Sequence, residues 1–495
     1  MKERAGGILL HPTSLPGRFG IGTLGNAAYD FIDFLVNSKI KFWQILPLGP
    51  TGYGDSPYQC FSSRAGNPML IDPEMLHEER LITKEELDSL ELPETGHVDY
   101  GRVITLKYAV LEKAYERFRS ESGKELKQDL RYFSKSNSSW LNDYALFMSI
   151  KEHNKFKPWY KWTKSLRLKK EEAVAPLEKA LKSRIEFHKF IQYMFFRQWS
   201  SVKDYANENN IRIIGDIPLY VALDSADAWA NPELFEFNQE KMPVAVGGVP
   251  PDYFSENGQL WGNPLYNWYY HKQQRFKWWT DRINFNLSMF DMIRIDHFRG
   301  FAAYWAVPAG EETARNGKWM PGPGKDLFET IYNQLGELPI IAEDLGVITP
   351  DVENLRDSFG FPGMKILQFA FDSAEANDYL PHNYPKNSVV YTGTHDNDTV
   401  KGWFEKASAG DRKQALDYMG CTPDKICSSL IRLAWSSVSN TAVVPLQDLL
   451  ELGSEARMNT PGTTSNNWKW RCNASDFNPE LAKRLSRMAK MYGRD

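Results

Sequence analysis

The sequence predicts an α/β fold, a (β/α)8 TIM barrel with mostly helical insertions between barrel strands. Three observations predict it. Short apolar runs alternate with stretches of helical spacing, the runs number eight, and four of them end in carboxylates. A doubly wound open sheet is the runner-up, because a strand count does not show closure.

The elements follow in order. Gly7 to Pro12 is a short apolar run closed by proline, which reads as a buried strand. Ala28, Phe31, Ile32 and Leu35 then fall at the spacing of an amphipathic helix over 27–38. Phe42 to Leu48 reads as the second strand, so the first 50 residues form one β-α-β unit with parallel strands. Residues 51–205 break the alternation and read as a mostly helical insertion, with helices near 103–120, 140–153 and 170–205. The third strand is 211–218, followed by a long Gly/Pro-rich loop over 224–266 and a helix over 267–286. Five further runs complete the count: 292–296, 338–344, 365–369, 389–396 and 441–446. The whole chain, 1–495, is thus expected to be a single barrel with insertions at 51–205 and 224–266.

Composition narrows the function. Apolar residues make up 42% and charged residues 25%, which is ordinary globular usage. The 59 Lys+Arg against 63 Asp+Glu leave no basic excess for a phosphate backbone, so nucleic acid is not an expected partner. No window approaches the ~18 consecutive apolar residues of a membrane span. The start, MKERAGGILLHPTSLPG, has too short an apolar run for a secretory signal. That points to the cytoplasm, and a processed plastid protein would read the same way. The four cysteines, Cys60, Cys421, Cys427 and Cys472, form no C-x-x-C, so no metal knuckle is expected. Aromatic residues reach 14%, with 16 Trp and 23 Tyr. Most belong to a large core, but Trp and Tyr also suit surfaces that bind amphipathic partners such as sugar rings.

The carboxylates carry the chemistry. Asp216, Asp296, Glu343 and Asp396 each stand at the carboxyl end of a predicted strand, where barrel enzymes place their sites. Any one alone is best read as a helix cap or an Asx-turn, and Asp344 and Asp398 are read that way. The constellation argues otherwise, because caps need no neighbouring Arg and His. Arg294 lies two residues before Asp296, so both share one face of a strand. A cation there holds a carboxylate ionised. His297 and His395 flank the acids. Paired carboxylates suit glycoside chemistry, in which one acid protonates the leaving oxygen and another attacks the anomeric carbon. The run Gly20 to Gly25 matches G-x-G-x-x-G between a strand and a helix. The next strand ends Leu46-Pro47-Leu48-Gly49 without the acid that would hold a ribose, so tight turning explains the glycines.

Taken together, these phrases resemble the 4-alpha-glucanotransferases (amylomaltases, or disproportionating enzymes) of glycoside hydrolase family 77. The resemblance runs almost end to end, through GGILLHPTSLPG (6–17), GPTGYGDSPYQ (49–59), GDIPLYV (215–221), PPDYFSENGQLWGNP (250–264), IRIDHFRG (293–300), AEDLG (342–346), GTHDN (393–397) and KMYGR (490–494). It implies a retaining transfer between α-1,4-glucans and maltooligosaccharides that needs no cofactor and no metal. It further implies Asp296 as nucleophile, Glu343 as acid/base and Asp396 as transition-state stabiliser, with Asp216, Arg294, His297 and His395 around them. Tyr58 resembles the platform below the donor sugar, Asp252 and Trp261 belong to a lid-like loop on the acceptor side, and Tyr53 and Tyr100 resemble a second glucan contact. The chain departs from the wider α-amylase pattern after Asp216, where Ile217-Pro218-Leu219-Tyr220 replaces the usual Asn-His pair. That favours a transferase over the two alternatives, an α-glucan hydrolase and a catalytically silent glucan-binding protein. No starch-binding or extra amino-terminal domain is expected.

Overall fold

The structure, a computed structural model, describes residues 3–121, 123–251, 255–372 and 377–495, apart from the side chain of Tyr53. Twelve strands occur among them. The first six are β1 (Ala5–Leu9), β2 (Phe42–Gln44), β3 (Arg212–Ile217), β4 (Ala245–Val249), β5 (Gln259–Pro264) and β6 (Met292–Ile295). The rest are β7 (Ala303–Pro308), β8 (Lys318–Pro321), β9 (Ile340–Ala342), β10 (Gly363–Ile366), β11 (Ser388–Tyr391) and β12 (Thr441–Pro445).

Eight of these form one parallel sheet in the order β10-β11-β12-β1-β2-β3-β6-β9. The apolar runs are legible because β1, β2, β6, β9, β11 and β12 are buried throughout, as strands sandwiched between helices and a barrel interior must be. The seam between β9 and β10 closes differently from the others. The Ala342 amide donates to the Pro362 carbonyl at 3.0 Å, and the Met364 amide donates to Asp344 at 2.7 Å. Arg356 pairs with the same carboxylate. Asp344 therefore laces the barrel shut rather than capping a helix. Asp398 is not the helix cap either: Thr399 caps Val400–Lys406, while Asp398 pairs with Lys406 at 2.6 Å and accepts from Ser454 at 2.8 Å.

Helices cover the outside. Asn26–Asn37 joins β1 to β2, Lys182–Glu208 leads into β3, and Lys277–Met289 leads into β6. The β10–β11 connection carries only 3-10 turns among its described residues. The segment 51–205 holds helices at Tyr100–Glu121, Lys124–Ser136 and Ser138–His153, of which the second escaped the sequence reading. Its Leu126, Leu130 and Phe133 form only a narrow stripe, partly buried against the core, among otherwise polar and charged residues. The stretch 267–286 is two helices, Trp268–Gln273 and Lys277–Met289, separated where Arg275 and Phe276 adopt positive φ.

The expected loop at 224–266 is largely structured. It holds the helix Ala226–Ala230 and the antiparallel pair β4–β5, which continues into a four-stranded sheet β5-β4-β7-β8. Gly247 and Gly248 hid this sheet. A Cβ at Gly247 would stand 2.8 Å from the Tyr220 ring, and one at Gly248 would stand 2.5 Å from the Gln259 carbonyl. Close packing demands glycine there, against strand propensity. The G-x-G-x-x-G run is likewise a packing requirement. A Cβ at Gly22 would stand 1.9 Å from the Pro12 carbonyl, and one at Gly25 would stand 2.1 Å from Asp72.

Candidate active site

Four carboxylates converge at the carboxyl rim of the barrel. Asp216 lies on β3, Asp296 follows β6, Glu343 follows β9, and Asp396 stands in the loop after β11. Arg294, on β6, links two of them. Its Nη1 donates to Asp216 Oδ2 at 2.6 Å and its Nη2 donates to Asp296 Oδ1 at 2.9 Å. Arg294 and Asp216 are buried, whereas 30% of the Asp296 side chain faces the cleft. Asp216 Oδ2 also accepts the Tyr58 hydroxyl at 2.8 Å, and its Oδ1 is buried with no protein partner.

Glu343 is oriented by the backbone. Its Oε2 accepts from the His297 amide at 2.6 Å and its Oε1 from the Leu345 amide at 2.9 Å. The turn that delivers the first amide needs His297 in the left-handed region, at φ 52°. Burial pushes the Glu343 carboxyl up, and the neighbouring Asp296 charge pushes it further, to about 8. Burial raises Asp296 as well, but the Arg294 guanidinium opposes this. Of two coupled acids, the one against the cation ionises and the other keeps the shared proton.

Asp396 is held differently. Burial resists its ionisation, but His395 and the Asn459 amide outweigh burial and keep it well below the usual carboxylate range. His395 Nε2 lies 3.4 Å from Asp396 Oδ2, and 45% of the Asp396 side chain remains open to the cleft. The Tyr58 ring stacks on the His395 ring with centroids 5.1 Å apart, and Trp468 packs against both at 5.8 Å. Behind them, burial and the His395 charge push His11 down to about 3, so His11 is neutral and accepts the Leu46 amide. On the facing wall, Trp261 of β5 sets its ring edge to face with His297 at 4.7 Å.

The expected carboxylates, Tyr58, Arg294, His297, His395 and Trp261 thus surround one cleft. Tyr100 is elsewhere. It is buried at the start of its helix, and its hydroxyl donates to the Trp468 carbonyl at 2.8 Å, leaving no open ring face for a sugar. Asp252 and the Tyr53 side chain lie outside the described residues. The sequence reading missed Asn459 and Arg457. Asn459 Nδ2 donates to Asp396 Oδ1 at 2.6 Å, and Arg457 Nη2 donates to the Asp396 carbonyl at 2.6 Å. Both come from irregular chain beyond β12, where no periodicity marks them. Among the described residues, no group of three or more His, Cys, Asp or Glu side chains is disposed to hold a metal ion. None of the described helices is long and apolar enough to cross a membrane.

Comparison with known proteins supplies the family. The 4-alpha-glucanotransferase family model matches residues 10–476. A 4-alpha-glucanotransferase of a Synechocystis species is 51% identical over 498 residues, covering 100% of this chain and 99% of that protein. One from Clostridium butyricum is 48% identical over 489 residues, covering 98% of this chain and 100% of that one. A solved amylomaltase from Streptococcus agalactiae, in complex with acarbose, superposes with a TM-score of 0.96 at 44% identity, covering 99% and 100% of the two chains. Fold and relatives define a glycosyl-transferring barrel enzyme. The chain belongs to the 4-alpha-glucanotransferase family, glycoside hydrolase family 77.

Proposed function

We propose that the cleft transfers a segment of an α-1,4-glucan to the 4-hydroxyl of a second glucan or glucose by double displacement. The observation that carries this reading is the split between two coupled acids. Arg294 holds Asp296 towards its ionised form, and burial keeps the proton on Glu343 until about pH 8. A nucleophile and a proton donor coexist at neutral pH, as a retaining mechanism requires.

In the first step, Asp296 forms a bond to the anomeric carbon. The glycosidic bond breaks, its electron pair goes to the departing oxygen, and Glu343 gives that oxygen its proton. The reducing-end fragment leaves, and the donor segment remains as a covalent ester on Asp296. In the second step, Glu343 takes the proton of an acceptor 4-hydroxyl, whose oxygen displaces Asp296. Two inversions retain the α configuration. Asp396, partly open to the cleft, is suited to accept sugar hydroxyls, and the stacked Tyr58 ring offers a flat apolar surface below the donor sugar.

Water competes with the acceptor, so transfer depends on positioning and on exclusion of water. The β4–β5 pair carries Trp261 against His297 and is the candidate lid. Pure maltotriose tests the whole reading. Glucose plus longer maltooligosaccharides at a constant count of reducing ends is the expected outcome. A rising count with only shorter products would make the protein a hydrolase.

A further inference from the structure

The antiparallel sheet ends in an aromatic feature that the proposed mechanism does not use. Leu260, Gly248, Trp305 and Trp319 are register partners across β5, β4, β7 and β8, so they form one row on one face of the sheet. Trp319 is on the edge strand and 40% exposed, and Leu260 at the other end of the row is 36% exposed. A lone exposed apolar side chain would call for no explanation. Trp319 is neither alone nor loosely held. The Arg299 guanidinium carbon lies 4.0 Å from its ring centroid, and the Trp305 ring packs at 5.3 Å, nearly edge on at 68°. Trp305 is fixed in turn, its indole N–H donating to the Ala314 carbonyl at 2.8 Å. One face of the Trp319 ring is therefore covered by a cation, while much of the ring remains at the surface in a set orientation.

The support for this ring leads back to the catalytic rim. Arg299 is buried, stands two residues after His297, and donates to the Val347 carbonyl. Val347 is 56% exposed and lies in the same loop that begins at Glu343. Four residues of chain span at most ~14 Å. Through Arg299, Trp319 is thus tied to the loops that carry His297 and Glu343, on that side of the cleft. In the mechanism proposed above, Glu343 protonates the departing oxygen, so the reducing-end part of the glucan must leave the centre on this side.

We propose that Trp319 is a remote sugar subsite, an aromatic platform for the reducing-side portion of a long α-1,4-glucan. The inference rests on the function proposed above. The ligand class follows from the chemistry: an apolar ring face at the end of an aromatic and aliphatic row suits the C–H face of a hexose, and the rim is continuous with the carboxylates that process it.

The test compares a substrate long enough to pass the rim with one consumed at the centre. Transfer kinetics are measured with maltoheptaose and with maltotriose for the wild type, Trp319→Ala and Trp319→Phe. Trp319→Ala should raise KM for maltoheptaose about fivefold with little change in kcat, the size expected of one aromatic contact. The ratio of kcat/KM for maltoheptaose to that for maltotriose falls accordingly, and Trp319→Phe keeps it within about twofold of wild type. An unchanged ratio in Trp319→Ala, including an equal loss on both sugars, overturns the subsite. A fall of the same size in Trp319→Phe overturns the stacking role. Trp319→Gln serves as the aromatic deletion if a melting curve shows the alanine variant to be unfolded. A wild-type protein that transfers from neither sugar would fail the function itself, whereas transfer with an unchanged ratio fails only the subsite.

Discussion

The side-chain amide of Asn459 donates to the Asp396 carboxylate over 2.6 Å, reaching back across 63 residues of sequence. Arg457 braces the same joint, with Nε on the Asn459 carbonyl at 2.7 Å and Nη2 on the Asp396 carbonyl at 2.6 Å. A hydrogen bond to a charged group contributes roughly 1.5–3 kcal/mol. Asn459→Ala should therefore lower kcat by at least about tenfold while the thermal midpoint moves little. Steady-state kinetics beside a melting curve check both halves.

The coupled acids predict the pH profile. Glu343 must be protonated to act, and it loses its proton near pH 8. The alkaline limb of kcat/KM should fall there, well above an ordinary glutamate. Replacing Asp296 with Asn removes the nucleophile and the charge together. Turnover should vanish with the fold intact, and the Glu343 titration, followed by carbon NMR of its carboxyl, should move down. A variant that kept normal turnover would remove Asp296 from the nucleophile's place.

The same proton bears on stability. In the unfolded chain Glu343 ionises near its ordinary value of about 4.3, whereas in the fold it holds its proton to about 8. The native state binds the extra proton, so its stability from this group is complete below the lower value. It declines as pH rises through the window and levels off above the upper one. Glutamine cannot ionise. Glu343→Gln should raise the thermal midpoint at pH 8.5 and leave it nearly unchanged at pH 4, while abolishing transfer.

Trp261 tests the exclusion of water. Its ring, on β5, meets that of His297 edge to face at 4.7 Å. Trp261→Ala should raise hydrolysis relative to transfer severalfold, read as reducing ends released per maltooligosaccharide rearranged. An unchanged ratio would take Trp261 out of that role.

Most of the barrel strands were legible because both of their faces are buried, which writes unbroken runs such as Val389-Val390-Tyr391. The partly exposed sheet β5-β4-β7-β8 was not, since Gly247 and Gly248 satisfy close packing rather than strand propensity. The rim carboxylates announced themselves by ending apolar runs, and the Arg294–Asp296 pair by its spacing of two. Asn459 and Trp468 had no such signal, because irregular chain carries them into the cleft and only tertiary contacts fix them. Tyr100 shows the converse. An aromatic residue that a resemblance assigns to a sugar contact can be a buried strut whose hydroxyl is committed to the Trp468 carbonyl.

The seam beside β9 has a consequence for how the enzyme fails. The strand that delivers Glu343 is laddered to β6 on one side only. On the other side it is fastened by the Ala342–Pro362 bond and by the Asp344 carboxylate. A barrel parts where its joint is thinnest, so warming should separate β9 from β10 first and draw Glu343 away from Asp296 while the outer helices still stand. Activity would then be lost at a lower temperature than helical structure, and the enzyme would fall silent before it unfolds.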